Sequence, residues 1–237
     1  MVSRTLARRI RDKLGPMFSP LYFGYLLVDD WRCARFFPRW IRSFGLSRDS
    51  VRNGLPWLPF GLIEWLDVYL KPDMTVFEFG SGGSTIFMAQ RVKTLISVEH
   101  NRAWYQKVLP ELQKRGLLNV TYLLREPVAS GTTAPKEYWD NYGSDYANMS
   151  FAPYVKAIED YPDRSFDLIL VDGRSRKFCL EHAIGKTRPG GFIVMDNSST
   201  PEYLDFYRPL EGFPRCDITT IAPFWPPAKW QATRWQI

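Results

Sequence analysis

Cysteine is scarce, with Cys33, Cys179 and Cys216 the three in 237 residues. They are odd in number and lack metal-site spacing, which argues against a disulfide scaffold and for a reduced, cytoplasmic chain. Also missing is an apolar run long enough to span a bilayer: residues 21–28 are too few and lead into Asp29-Asp30, and the start has no clean signal-peptide core. No recognised nucleic-acid motif occurs. Net charge is lacking over most of the length. Beyond residue 52 there are 20 basic and 21 acidic residues, whereas residues 1–52 hold 11 and 4, so the overall +6 resides in the leader.

What is plentiful is apolar and aromatic. A hydrophobic content of 45% against 24% charged residues suits a soluble globule of one substantial α/β domain with additions. Aromatic residues number nine Trp, twelve Tyr and sixteen Phe, and in the leader they interleave with arginine, as in Trp31-Arg32, Arg35-Phe36-Phe37 and Arg39-Trp40. Such a leader reads as a basic helical cap on the main body, as a surface for peripheral contact with the inner face of a membrane, or as a homo-oligomer interface.

Hydrophobic period divides the chain. Residues 1–59 form a basic, aromatic-rich extension, mostly helical, with an amphipathic helix over 4–14 and further pieces through 21–45. Residues 60–237 form the main domain, opened by a helix over 60–70. Apolar, β-forming runs at 76–79, 94–98, 120–124, 166–171 and 192–195 alternate with helical patterns at 85–90, 102–114, 151–161 and 179–186, and 216–221 and 230–236 close as two strands. Pro110 is placed to kink or divide its helix, and Pro189-Gly190-Gly191 reads as a turn. The rhythm predicts a doubly wound α/β sheet. Around 128–161 lies a substrate-loop insertion whose first part, 128–150, lacks a hydrophobic period and offers Tyr138, Trp139, Tyr142 and Tyr146 as lid or pocket-wall residues, or as anchors of the loop.

The stretch Glu78-Phe79-Gly80-Ser81-Gly82-Gly83-Ser84-Thr85 is a strand, a glycine turn and a helix start. That junction presents backbone N–H groups beside the carboxyl edge of a sheet, where a nucleotide-like ligand approaches closely. Glu99 follows the second strand about twenty residues on, the spacing of a carboxylate that accepts from a ribose diol. Asp172 and Asp196-Asn197 end the fourth and fifth strands, so a parallel sheet gathers all of them at one rim. Each also has a plainer reading. Asp172 and Asn197 suit turns, Glu126 after the third strand is an adenine-edge group or a solvated loop carboxylate, and His182 is a packing or surface residue. Arg174 and Arg176 either bind an acidic substrate, close over the site, or lie exposed at a helix entrance.

On the glycine stretch, Ser97-Val98-Glu99, Leu170-Val171-Asp172-Gly173 and the run Gly190-Gly191-Phe192-Ile193-Val194-Met195-Asp196-Asn197, residues 65–237 resemble the class I S-adenosylmethionine-dependent methyltransferases. The resemblance implies a seven-stranded Rossmann-like sheet of order 3-2-1-4-5-7-6 with the seventh strand antiparallel. It also implies cofactor contacts from Glu78, Gly80, Ser81, Gly82, Ser84, Thr85, Glu99, His100, Glu126 and Asp172. Asp172, Asp196 and Asn197 together resemble the Mg²⁺ site of catechol-type O-methyltransferases, where hard oxygen ligands hold an ionised hydroxyl. The lysine of that family is out of register here, with Arg174 and Lys177 nearby. The expectation is methyl transfer from S-adenosylmethionine to a hydroxyl of a small molecule such as a sugar or phenol, with Asp172, Asp196 and Arg174 catalytic. The alternatives are a metal-independent N-methyltransferase, an NAD-dependent oxidoreductase and a membrane-associated nucleotide-binding protein.

Overall fold

A computed structural model describes residues 30–45, 49–130, 148–224 and 228–237, together with Gly24, Tyr138 and Tyr146. The helix expected over 4–14 and the candidates Trp139 and Tyr142 lie outside the described residues. The strands of the main sheet are β1 (Thr75–Phe79), β2 (Thr94–Glu99), β3 (Val120–Leu124), β4 (Phe166–Val171), β5 (Thr187–Met195), β6 (Arg215–Ile221) and β7 (Lys229–Gln236), with Val128–Ala129 and Met149–Ser150 forming a separate antiparallel pair. The main sheet is seven-stranded, in the order β3-β2-β1-β4-β5-β7-β6. β1 to β5 pair in parallel, and β7 runs antiparallel to both β5 and β6. This is the expected topology.

The side chains explain why the sheet is covered twice. Val76, Leu95, Leu168, Leu170 and Val194 face one apolar cluster, while Phe77, Phe79, Ile96, Val98, Ile169, Val171 and Ile193 face another. Alternate residues of one strand are thus buried on opposite faces, as a parallel sheet sandwiched between layers requires. The first face is closed by α3 (Phe60–Tyr69) and α4 (Gly83–Ala89), the second by α6 (Ala152–Val155), α7 (Arg176–Lys186) and a 3-10 segment, Pro201–Leu210. α5 (Arg102–Lys114) lies beside β2 and β3.

The described part of the extension joins the first face. Its 3-10 turn Trp31–Phe36 and helix α1 (Phe37–Gly45) place Cys33, Phe36 and Trp40 in the same buried cluster as Phe60, Leu62 and Leu66. Arg35 and Arg39 both pair with Glu64 of α3. The short helix α2 (Ser50–Asn53) seats Val51 against Ile86, Val108 and Leu112. Trp31, Phe37 and Ile41 remain exposed.

Three local expectations change. Pro110 does not divide α5, which runs unbroken over Arg102–Lys114; Pro110 is on the exposed face, where water can take the carbonyl that loses its helical donor. Residues 189–191 are not a turn between elements but lie within β5, whose pairing with β4 shifts register between Phe166 and Leu168, a bulge that absorbs the extra residues. The helix expected over 151–161 is α6 followed by a separate 3-10 turn, Lys156–Asp160. No helix among the described residues is long and apolar enough to cross a membrane, and the three cysteines are free.

Candidate active site

At the carboxyl ends of β1 and β4 the two chains nearly touch. Gly80 has φ +91°, and a Cβ there would meet the Cα and N of Gly173 at 2.7 Å. Only glycine fits this conformation and approach. Above it opens a cavity of about 1050 Å³ whose wall includes Gly80, Ser81, Glu99, His100, Asp172 and Asn197. It lies where the strand order reverses, the crevice in which open α/β sheets bind ligands.

The turn is held from below and from the side. Glu78 is fully buried and accepts hydrogen bonds from Ser84 Oγ (2.5 Å), Thr85 Oγ1 (2.6 Å) and Ser97 Oγ (2.6 Å). Burial pushes its carboxyl up to about 7 against the pull of these three hydroxyls. Thr85 Oγ1 also receives the N–H of Gly82 at 2.8 Å. Glu78, Ser84 and Thr85, expected as cofactor contacts, therefore form the underside of the loop, and the cavity wall does not include them.

Glu99 lies on the wall, with its oxygens occupied. Oε2 accepts from Ser81 N (3.0 Å) and Ser81 Oγ (2.8 Å), and Oε1 from His100 N (2.9 Å) and Asn101 N (2.8 Å). The Nδ1 of His100 stands 3.0 Å from Oε1, close but out of line for a hydrogen bond. Burial alone would raise the Glu99 carboxyl; the His100 ring, the Asn101 amide and Ser81 outweigh it and hold the group below its ordinary value. Trp104, one turn into α5, donates its indole N–H to Ser81 O at 2.7 Å. Asn101 caps that helix by accepting from Trp104 N at 2.9 Å. Glu99 thus fastens the glycine turn to the start of α5, and a ribose diol would reach it by displacing Ser81 Oγ.

Across the cavity, Asp172 ends β4 and Asp196 ends β5. Their side chains meet, and both are pushed up, first by burial: Asp172 to about 6, with Arg176 restraining the rise, and Asp196 further, by burial and then by the charge of Asp172. Two carboxylates this close disfavour ionising together, and burial adds to that. Arg176, nine-tenths buried at the start of α7, donates to Gly173 O (2.9 Å), Asp172 O (3.2 Å) and Asp172 Oδ1 (3.2 Å), and to Asp196 O. It clamps the ends of β4 and β5.

Arg174 is on the cavity wall, its guanidinium 5.6 Å from the Tyr146 ring centroid. Asn197, in the left-handed conformation at φ 53°, turns the chain so that Ser199 and Thr200 also reach the wall. Two expected residues are placed elsewhere. Glu126 is paired with Arg102 in an exposed bridge away from the wall. Tyr138 packs on Phe178 and His182 of α7, while Tyr146 is in the wall. Arg176, Asn101 and Trp104 are the functional positions that sequence reasoning missed or misread. Asn101 before an apolar-periodic run is a helix-cap signal; nothing local marks Arg176 as a clamp.

The divalent-metal set expected from Asp172, Asp196 and Asn197 does not fit. Arg176 already supplies the positive charge at Asp172, and a second cation there would meet its repulsion. Asp196 is buried and is not part of the cavity wall. Among the described residues no group of three or more His, Cys, Asp or Glu could hold a metal ion. No step is routed through a metal.

S-adenosylmethionine does fit: the close Gly80–Gly173 approach is a cradle that a Cβ would fill, and the cavity has room for a nucleoside and a second molecule. A class I methyltransferase fold and a cofactor crevice are therefore in place. A family model described as a methyltransferase domain matches residues 77–198, and the chain belongs to that family. It is an S-adenosylmethionine-dependent methyltransferase. Solved structures share the fold. A Streptococcus mutans protein assigned as a methyltransferase and crystallised with SAH is 11% identical with a TM-score of 0.53, covering 76% of this chain and 98% of that one. An rRNA methylase of Streptococcus thermophilus is 11% identical with a TM-score of 0.52, covering 75% and 95%. Precorrin 8W decarboxylase of Methanobacterium thermoautotrophicum is 20% identical with a TM-score of 0.50, covering 75% and 88%. At these identities the likeness is one of fold. Comparison with curated proteins finds no match.

Proposed function

We propose that the chain methylates a hydroxyl oxygen of a small molecule and that Asp172 takes the hydroxyl proton. The observation that carries this reading is Asp172 itself: a carboxylate on the cavity wall, next to the Gly80–Gly173 contact, whose proton affinity is raised to about 6. A base works best when its pKa lies near the working pH, and burial supplies that here. When bound, S-adenosylmethionine supplies an electrophilic methyl on a sulfonium sulfur. With the cofactor held there, the acceptor oxygen would take the methyl group as the sulfur–methyl bond broke, leaving a neutral thioether, and Asp172 would receive the hydroxyl proton.

The chain's own groups do the positioning. Arg176 keeps Asp172 in place and favours its ionised form. Arg174 orients the acceptor from the wall. Because the base form of Asp172 is needed, the rate rises as pH increases through about 6 and is lost below. The exposed Trp31, Phe37 and Ile41 support contact of the extension with a membrane surface or a second copy, and the free thiols support a reducing, cytoplasmic setting; the chemistry depends on neither.

Calorimetry tests the donor. S-adenosylmethionine and SAH should bind and NAD should not, and Gly80→Val, with its fold checked by circular dichroism, should abolish binding. Preferential NAD binding, or SAH binding unaltered by a folded Gly80→Val, would overturn the reading.

A further inference from the structure

The acceptor side of the cavity has a distinctive composition. It is built by the loop after β5, the Pro201–Leu210 segment and the start of β7, which contribute Asn197, Ser199, Thr200, Tyr203, Trp230 and Gln231 to the wall. Four of these are neutral hydrogen-bonding residues and two are aromatic, and Lys229 at the start of β7 adds a cation beside them. Among the described wall residues the aliphatic side chains are alanines alone. The side chains of Asn197, Ser199 and Thr200 make no hydrogen bond within the described residues, so their donors and acceptors are available to a ligand.

This wall is also preorganised. Ser198 is fully buried behind it and ties its three elements together. Its N–H donates to Gln231 O (3.0 Å), its hydroxyl accepts from Thr233 Oγ1 (2.7 Å) and Gln231 Nε2 (3.3 Å), and its carbonyl accepts from Tyr207. Fixed polar groups discriminate strongly, because a ligand that cannot match them leaves them unpaired.

We infer that the acceptor is a saccharide, methylated on one of its ring hydroxyls. A pyranose ring offers an apolar C–H face to Trp230 or Tyr203 and a rim of hydroxyls, each both donor and acceptor, to Asn197, Ser199, Thr200 and Gln231. A phenolic ring has one or two polar groups and would leave most of this rim unsatisfied. An RNA strand calls for a basic face to neutralise phosphates, and the rim of Asn197, Ser199, Thr200 and Gln231 is uncharged, with Lys107, Arg174, Arg176 and Lys229 the cations of the wall.

The inference rests on the proposed methyl transfer, and its test separates the two. SAH affinity of the full chain is measured first; absence of binding sinks the methyltransfer reading itself. The chain with labelled S-adenosylmethionine is then offered hexoses, hexuronic acids, hexose 6-phosphates and nucleoside-diphosphate hexoses, and separately catechol, caffeate and an rRNA transcript. The expected result is label in at least one saccharide and in none of the others. Label in a phenol or in RNA, or in no saccharide while SAH binds, overturns the inference. Trp230→Ala should raise KM for the labelled saccharide at least tenfold with SAH affinity unchanged, and Trp230→Phe should restore most of it; Thr200→Val supplies the same test if Trp230→Ala does not fold. An unchanged KM in a folded Trp230→Ala or Thr200→Val would also overturn it.

Discussion

The two halves of the cavity treat their polar atoms in opposite ways. Around β1 and β2 the chain satisfies itself: Glu78 is met by three hydroxyls and Glu99 by three N–H groups, of Ser81, His100 and Asn101, and the Ser81 hydroxyl. Around β4, β5 and β7 it does not. Asn197, Ser199 and Thr200 leave their side chains to the cavity. The first half is a finished scaffold that shapes a turn; the second is an open set of groups for which a ligand must supply the partners. A fold shared among many chemistries can keep the first and vary the second.

The comparison breaks most sharply at Asp172. Asp172→Asn should lower kcat about 10²–10⁴-fold, the range of a lost general base, with SAH affinity nearly unchanged; assay on the saccharide found by labelling checks both. Next is the clamp. Arg176→Met removes the cation from a buried pair and should cost about 3–5 kcal/mol, seen as a large fall in Tm. It should also move the acid limb of the rate profile upward, because Arg176 holds Asp172 down.

On the scaffold side, Glu78 offers a pH test. Its folded value of about 7 exceeds the ordinary 4.5, so the folded state holds a proton that the unfolded chain has released. Stability is therefore lost as pH rises from 4.5 to 7, by up to about 3 kcal/mol. Glu78→Gln should remove this component, and denaturant melts across that window compare the two slopes. Glu99→Gln should weaken SAH binding by about tenfold, since a carboxamide cannot accept from all the donors at the turn. The smallest effect is expected at Glu126→Ala. Its exposed bridge to Arg102 is worth under about 1 kcal/mol, and SAH affinity should not change.

How much of this could be read from the sequence follows the same division. β4 begins and ends where its apolar run does, because burial on both faces leaves a continuous signal; β3, a half-buried edge strand, also keeps the bounds of its run. Sheet order and the gathering of Glu99, Asp172 and Asp196 at one rim were likewise accessible, since parallel connectivity puts strand ends together. Register and reach were not. Glu78 alternates with Phe77 and Phe79 along β1, but that spacing does not tell whether its carboxylate meets a ligand or Ser84, Thr85 and Ser97. Arg176 resembles any arginine at a helix entrance until α7 folds it back over two carbonyl ends. The metal reading failed for that reason: two aspartates and an asparagine at adjacent strand ends look like an oxygen set until a guanidinium from elsewhere takes the charge. The insertion left little to read, for it has no hydrophobic period, and Tyr138 and Tyr146 go to different places.

The most direct test is a crystal structure of the chain with SAH bound. The account predicts the nucleoside on the Gly80–Ser81–Glu99 side, with the sulfur facing Asp172 across an open space walled by Asn197, Thr200 and Trp230. SAH with its sulfur turned away from Asp172, or bound outside this cavity, would contradict it.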